Sequence, residues 1–434
     1  MNKLNLNKIL AGTCMLFCLG FVGCENDTTD YNQYNYYQEI DLKELSAEAK
    51  AVRDYVKSDA IIAHRGSTFW APEETEAAFR WARNMGADYL EIDLQRTKDG
   101  VLLALHDDNL RRTSNIESIL PGREDLPVSA FTLAELRALD AGSWFNDAVP
   151  ENARTSFAGE KISTLEEVLK IAEGFRIKRV SGEPVKDMTR LNNGQWAGYY
   201  EFEVDPKDNG NRPGIYAETK EPYLFGGMEA DLAVFLTAVG WNINTNPKTI
   251  TTTSGKVGVA NTKGRFILQS FSRESIVKLE KELPGVPKCM LLWLDESAGY
   301  VRPSNTLESL AEFINFSVEN NCHIAGPSIA GKPNRYDDLA EPWMNEMYHR
   351  AGMIVHAYSF DTEDQLRKYN GDYYYGGVSR FDNPNREIQG DYTYNVNKNM
   401  FIDGGFTNLT DLSLKYYKRG NGKTAQQILE ELGY

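Results

Sequence analysis

Cysteine, histidine and basic charge are all scarce in this chain, and each scarcity excludes something. Five cysteines in 434 residues rule out a disulfide-stapled miniature; the length suits one large domain or two medium ones. Lys+Arg 47 against Asp+Glu 62 leaves a net charge of −15. That balance argues against a phosphate-backbone binder, whose affinity comes from counterions released around a basic surface. An anionic substrate must therefore be drawn locally, by a metal ion or a few Arg and Lys. There is no internal repeat and no apolar run long enough to span a bilayer comfortably, which takes about 20 residues. What is present is ordinary for a packed protein, 41% hydrophobic and 25% charged, and argues against wholesale disorder.

The N-terminus reads as an address. Lys3 and Lys8 precede the short apolar run Ile9–Val22 and then Gly23-Cys24, the order of a secretory signal. Phe21-Val22-Gly23-Cys24 resembles a bacterial lipoprotein box, with Phe21 where Leu is usual. The resemblance implies removal of residues 1–23, acylation of Cys24 and anchoring in the cell envelope, on the periplasmic side or the outer-membrane surface. Residues 24–58 then form a polar tether and an amphipathic lead-in, Leu42–Val56, with little to bury before it. Acidic residues just after Cys24 favour the outer face. Cys289 and Cys322 would remain in an oxidising compartment, and the sequence allows either a bridge or two buried thiols at the starts of apolar runs.

From residue 59 to 434, strand-like runs alternate with helical patterns. The runs are Ile61–His64, Tyr89–Leu94, Ile215–Glu218, Phe266–Phe271, Met290–Leu294, His323–Ser328, Met353–Ser359 and Met400–Asp403. Helix-period stretches such as Glu74–Met85, Thr164–Ala172 and Ser272–Glu282 separate several of them. This alternation predicts an α/β fold, a (β/α)8 TIM barrel. A ninth run, Val101–His106, follows Thr97-Lys98-Asp99-Gly100. Asp-Gly there signals a tight hairpin, so this run is an antiparallel arm after the second strand. Two polar, irregular stretches, about 108–160 and 175–213, read as loop insertions of the kind that shape substrate access.

The chemistry gathers at strand ends. Glu91 and Asp93 are two apart on one strand and face the same side, while Ile92 faces the helices. Glu218 ends another strand, with Lys220 two residues beyond it on the same side. Converging carboxylates are expensive to desolvate without a cation, and an all-oxygen set suits one divalent cation, Ca2+ or Mg2+. Only five histidines are present. His64 ends the first strand before Arg65-Gly66, and His106 ends the arm before Asp107. Two imidazoles beside a metal can take and deliver protons near neutral pH, and Arg65 and Lys220 suit phosphoryl oxygens. His323 and His356, in apolar runs, read as core imidazoles, and His349 as solvated. Trp144, Trp196 and Trp241 read as buried anchors more readily than as loop linings.

Taken together, His64-Arg65-Gly66, Ala71-Pro72-Glu73-Glu74-Thr75, Glu91-Ile92-Asp93 through Lys98-Asp99-Gly100, and Leu105-His106-Asp107 resemble the glycerophosphodiester phosphodiesterase family. Ile162–Glu167, Tyr216–Lys220, Gln269–Phe271, Val355–Ser359 and Asp403–Thr407 extend the resemblance over roughly residues 59–411, and Gly214–Pro222 with the insertions looks most like the periplasmic branch. The resemblance implies hydrolysis of glycerophosphodiesters to glycerol 3-phosphate and an alcohol. It maps metal ligands onto Glu91, Asp93 and Glu218, the catalytic pair onto His64 and His106, and phosphate contacts onto Arg65 and Lys220. Phe271 and Tyr358, at strand ends, are candidates to pack on the glycerol moiety, and Glu73 to support from behind. Which histidine is base and which acid stays open, as does the identity of the attacking oxygen, water or a neighbouring hydroxyl. Two departures stand out: the family's Pro-Glu-Asn-Thr is Pro72-Glu73-Glu74-Thr75, and its late Thr-Asp is Thr407-Asn408. Neither is expected to touch the chemistry directly, but the added charge at Glu74 could alter the mouth and leaves substrate identity open. Rival readings are a glycoside hydrolase, which explains neither the two histidines nor Lys220; a silent surface protein binding phosphodiester head groups; and a relative acting on another phospholipid head group.

Overall fold

The computed structural model describes residues 40–252, 258–293, 306–383, 385, 387–389 and 396–434. The expected signal segment, Cys24 and most of the tether lie outside the described residues. Eight parallel strands close on themselves: β1 Ala60–Ala63, β2 Tyr89–Arg96, β3 Gly214–Thr219, β4 Phe266–Ser270, β5 Lys288–Leu292, β6 Ile324–Pro327, β7 Ile354–Phe360 and β8 Gly404–Thr407. The pairing of β1 with both β8 and β2 closes the ring. A helix follows every strand: α1 Glu76–Met85, α2 Leu165–Ala172, α3 Met228–Ala238, α4 Arg273–Glu282, α5 Leu307–Glu319, α6 Pro342–Arg350, α7 Glu363–Tyr369 and α8 Thr410–Tyr416. The chain is thus the expected (β/α)8 barrel, and a lead-in helix, Ala47–Arg53, precedes it. Among the described residues no helix is long and apolar enough to cross a membrane.

The period-two alternation of the strands sorts their side chains into two cores. Ile61, Ala63, Leu90 and Ile92 face the helices, where Phe79, Trp81 and Val168 bury against them. Ile62, Tyr89, Tyr216, Ile267, Leu291 and Phe406 fill the barrel interior, so the barrel is a packed body rather than a pore. Helix starts follow local chemistry. Thr75 accepts from the Ala78 amide at the start of α1, and Thr164 and Glu167 form a reciprocal capping box on α2.

The arm forms as its turn signal implies: Leu102–Ala104 pairs antiparallel with Leu94–Arg96, and Gly100 takes a φ of 84° at the turn. Other expectations need correction. The eighth strand is Gly404–Thr407, not Met400–Asp403; Met400 closes a short 3-10 turn instead. Two glycines hid the strand from any apolar pattern. Both are required by space, because a Cβ at Gly405 would lie 2.3 Å from the Phe360 ring and one at Gly404 2.9 Å from the Ala60 carbonyl oxygen.

The stretch 108–160 carries only short helices and 3-10 turns, and its Phe131, Phe145 and Phe157 join the helix-side core. The stretch 175–213 carries short antiparallel pairs, Phe175–Ile177 with Phe202–Val204 among them. His349 is held at both ring nitrogens, by the Asn399 carbonyl and Asp403, rather than solvated. His323 and His356 are buried as expected. Trp241 is buried, whereas Trp144 and Trp196 are half-buried. Cys289 and Cys322 are free, buried thiols.

Candidate active site

One cavity of about 710 Å³ opens at the carboxyl ends of the strands, the end where barrel enzymes place their chemistry. Its two halves differ in character. The β1–β3 side supplies His64, Arg65, Glu91, Asp93, Glu218 and Lys220, with His106 from the arm; the β4–β7 side supplies Phe271, Trp293, Tyr336 and Tyr358.

The charged half is positioned by backbone as much as by side chains. Just past β1, Arg65 adopts φ 50° and Gly66 φ 81°. A Cβ on Gly66 would stand 2.7 Å from the Ala78 Cβ, so this turn needs glycine on both counts. Arg65 tolerates the left-handed region because its amide donates to Glu91 Oε2 at 2.8 Å. Parallel pairing aligns Asp93 with Glu218 and Glu218 with Gln269, and so brings distant residues to one rim. The arm returns because the Leu105 amide donates to the Asp93 carbonyl oxygen, which sets His106 beside the acids.

Glu91, Asp93 and Glu218 are buried and offer oxygens that all lie within 4.8 Å of one another. Burial, and for Glu91 also the Asp93 charge, pushes Glu91 well above the usual carboxylate range. Burial raises Glu218 to about 8, with Lys220 opposing. Asp93 goes the other way. Burial disfavours its charge, but His106, Lys220 and Arg65 together outweigh that and hold it well below its ordinary value. Three buried carboxylates that local cations neutralise only in part are a donor set that could hold a hard divalent cation.

His64 Nδ1 lies 2.7 Å from Asn408 Oδ1; burial, then Arg65, lowers it to about 3, so the ring is neutral. His106 Nδ1 bonds Asp107 at 2.8 Å, and its Nε2 lies 3.1 Å from Lys220 Nζ. Burial and Arg65 lower it too. Arg65 reaches Asp93 at 3.3 Å and Glu73 at 3.4 Å, and Glu73 is pinned from behind by Arg112 at 2.6 Å. Lys220 stands 3.5 Å from Glu218. On the other half, Phe271, Trp293, Tyr336 and Tyr358 form a closed circuit of ring contacts with centroids 5.7 to 6.1 Å apart.

The structure thus brings His64, His106, Glu91, Asp93, Glu218, Arg65, Lys220, Phe271 and Tyr358 to one cavity wall, with Glu73 behind it. The two departures touch the site residues from behind rather than the reacting atoms. Glu74 accepts from the Asp93 amide at 3.0 Å and is itself buried, and Asn408 holds His64. Sequence reasoning also missed Gln269, whose amide donates to Glu91 at 3.0 Å, together with Arg112, Trp293 and Tyr336. Gln269 and Trp293 had a signal, their places toward the ends of strand-like runs; Arg112 and Tyr336 come from loops with no local pattern. Of the two insertions, only Asp108 and Asn109 from the first line the cavity, and nothing from 175–213 does.

Residues 64–219 match the model of the glycerophosphoryl diester phosphodiesterase family. A glycerophosphodiester phosphodiesterase of Bacillus subtilis is 31% identical over 307 residues, which cover 71% of this chain and 78% of that protein. The chain belongs to the glycerophosphodiester phosphodiesterase family. A second enzyme of that name, from Caldanaerobacter subterraneus, is 43% identical over 111 residues, 26% of this chain and 39% of its own length. The barrel resembles a solved candidate glycerophosphoryl diester phosphodiesterase of Silicibacter pomeroyi, with TM-score 0.53 and 18% identity over 84% of this chain and 94% of that one. At that identity the likeness concerns the fold.

Proposed function

We propose that this cavity hydrolyses glycerophosphodiesters to glycerol 3-phosphate and an alcohol by metal-dependent His/His acid–base chemistry. The observation that carries the reading is the convergence of three buried carboxylates, two cationic side chains and two imidazoles on one wall. Glu91, Asp93 and Glu218 would hold one Ca2+ or Mg2+, which when bound would offset charge developing on the phosphoryl group. Arg65 and Lys220 hold the phosphoryl oxygens, and Lys220 then has a stronger acceptor than His106 Nε2. His64 is neutral and takes the proton of the attacking oxygen. His106 takes up a proton at Nε2 as the anionic phosphodiester binds beside it, in a form supported at Nδ1 by Asp107, and delivers that proton to the departing alkoxide. Phe271 and Tyr358 give the glycerol carbons an apolar face.

Release of glycerol 3-phosphate from glycerophosphocholine, with and without chelator, tests this reading. The expected result is cation-dependent turnover that falls about 10²-fold or more in His64→Ala and in His106→Ala. Full turnover by either variant, or in chelator, overturns it. From the basic start, the apolar run Ile9–Val22 and Gly23-Cys24 we infer separately that the enzyme is lipid-anchored at Cys24 in the bacterial envelope. Cys24→Ser should then move it from the membrane fraction to the soluble one, and unchanged fractionation rejects the anchor.

A further inference from the structure

The site holds one polar chain that the reaction as described does not use. It runs outward from His64 through Asn408 to Asp361. Asn408, just beyond β8, places Oδ1 2.7 Å from His64 Nδ1. Its amide Nδ2 donates to Asp361 Oδ1 at 2.6 Å, and the Thr68 hydroxyl donates to Asn408 Oδ1 at 2.9 Å. The residue is also held by its backbone, since its carbonyl oxygen accepts from the Ser67 hydroxyl at 2.8 Å. Asp361 is fixed in turn, with its amide donating to Gln365 Oε1 at the start of α7.

An amide side chain has one accepting and one donating end, and rotation by half a turn exchanges them. Asp361 as a carboxylate only accepts, so the NH2 end must face it; Thr68 donates to the other end. The Thr68 hydroxyl could equally accept, so it is Asp361 that selects the orientation, with Oδ1 toward His64. An oxygen acceptor at Nδ1 places the imidazole proton on Nδ1 and leaves the lone pair on Nε2. We infer that Asn408 and Asp361 are positioning residues that together hold His64 in the Nδ1–H tautomer, which makes His64 the base and leaves His106 the acid. Neither touches the substrate. Asp361 acts on Asn408, and Asn408 on the ring. The inference rests on the proposed His/His chemistry, and it assigns the order of the two proton transfers. An amide in this place needs an orienting neighbour; a carboxylate would not, because both of its oxygens accept.

The tautomer is read directly by NMR of the protein labelled with 15N at its histidines, with the His64 signals assigned by their loss in His64→Gln. The wild type should show a protonated Nδ1 and an unprotonated Nε2; the opposite tautomer overturns the inference while leaving the hydrolytic reading intact. Unaltered turnover by His64→Gln would instead remove the His/His chemistry on which the inference rests. Kinetics on glycerophosphocholine add a second readout. Asn408→Leu should lower kcat about 10²-fold with KM changed less than threefold. Asp361→Leu, which frees the amide to turn, should lower kcat about tenfold and broaden the His64 signals into two tautomers. Asp361→Asn, which keeps an acceptor, should restore most of that loss. Asn408→Asp should stay within about tenfold of the wild type and should make Asp361→Leu harmless. An Asp361→Leu loss of equal size in the Asn408 and Asn408→Asp backgrounds shows a structural role and overturns the relay. The His323 and His356 signals, from the barrel core, report whether each variant has kept its fold.

Discussion

At the scale of single residues, the site is set by groups that cannot be exchanged for near neighbours. Gly66 is the clearest. Its φ of 81° and the 2.7 Å from a built Cβ to the Ala78 Cβ mean that Gly66→Ala must move α1 or the His64-Arg65 turn. The expected cost is about 2–4 kcal/mol of stability, read by denaturant titration, with a loss of turnover larger than the unfolded fraction explains. A change under about 0.5 kcal/mol would show that the turn relaxes freely. Glu218 carries a second expectation: Glu218→Gln keeps the shape of the strand end but removes one of the three carboxylates that would hold the proposed cation. Calorimetric titration with Ca2+ should show at least tenfold weaker binding, and equal affinity would exclude Glu218 as a ligand. The residues legible in advance all belong to patterned runs: His64 and His106 end theirs, and Glu91 and Asp93 alternate with apolar residues within one. Asn408 and Glu74 were visible only as departures from a resemblance. Their consequences depend on which side chain packs against them, and no spacing in the sequence encodes that.

At the scale of elements, strands and helices were legible wherever apolar periodicity was uninterrupted, and misplaced where backbone space outranked it. β8 is the instructive case. Its two glycines exist because β1 and β7 leave no room for a Cβ, so a packing demand replaced the apolar run that would have announced the strand. The arm shows the converse, a short-range turn signal that fixed antiparallel pairing and hence the place of His106. Gly100 has no atom within 4 Å of a built Cβ, so Gly100→Ala probes conformation alone. It should cost about 1 kcal/mol, the ordinary penalty for a left-handed Ala. Thr75→Ala removes the hydroxyl that caps α1 and should cost a similar amount, about 1 kcal/mol. Both are read as a shift in the denaturant midpoint, and a loss above about 3 kcal/mol in either would mean that the element does more than hold itself.

For the whole molecule, the barrel buries histidines that have no role in the reaction, and this ties its stability to pH. Burial lowers His323 to about 3, with Lys288 adding to the effect, and lowers His356 to about 4. In the unfolded chain both titrate near 6.5. Above pH 6.5 both states are neutral at these rings and stability does not depend on them. Between about 6.5 and 4 the unfolded chain binds a proton at each ring and the folded chain does not, so stability falls as pH falls. The slope is about 1.4 kcal/mol per pH unit for each ring. Buried acids titrate over the same range, Glu160 for example being raised by burial to about 7, and the total slope mixes both kinds of group. A variant isolates one ring. His356→Gln should be less steep than the wild type by about 1.4 kcal/mol per pH unit between pH 6 and 4.5, whatever its stability at pH 7. Denaturant titrations of the two proteins over that interval measure the difference in slope. Parallel curves would mean that His356 takes up its proton in the folded barrel, with the Tyr216 hydroxyl at Nδ1 and the Asp403 charge outweighing burial.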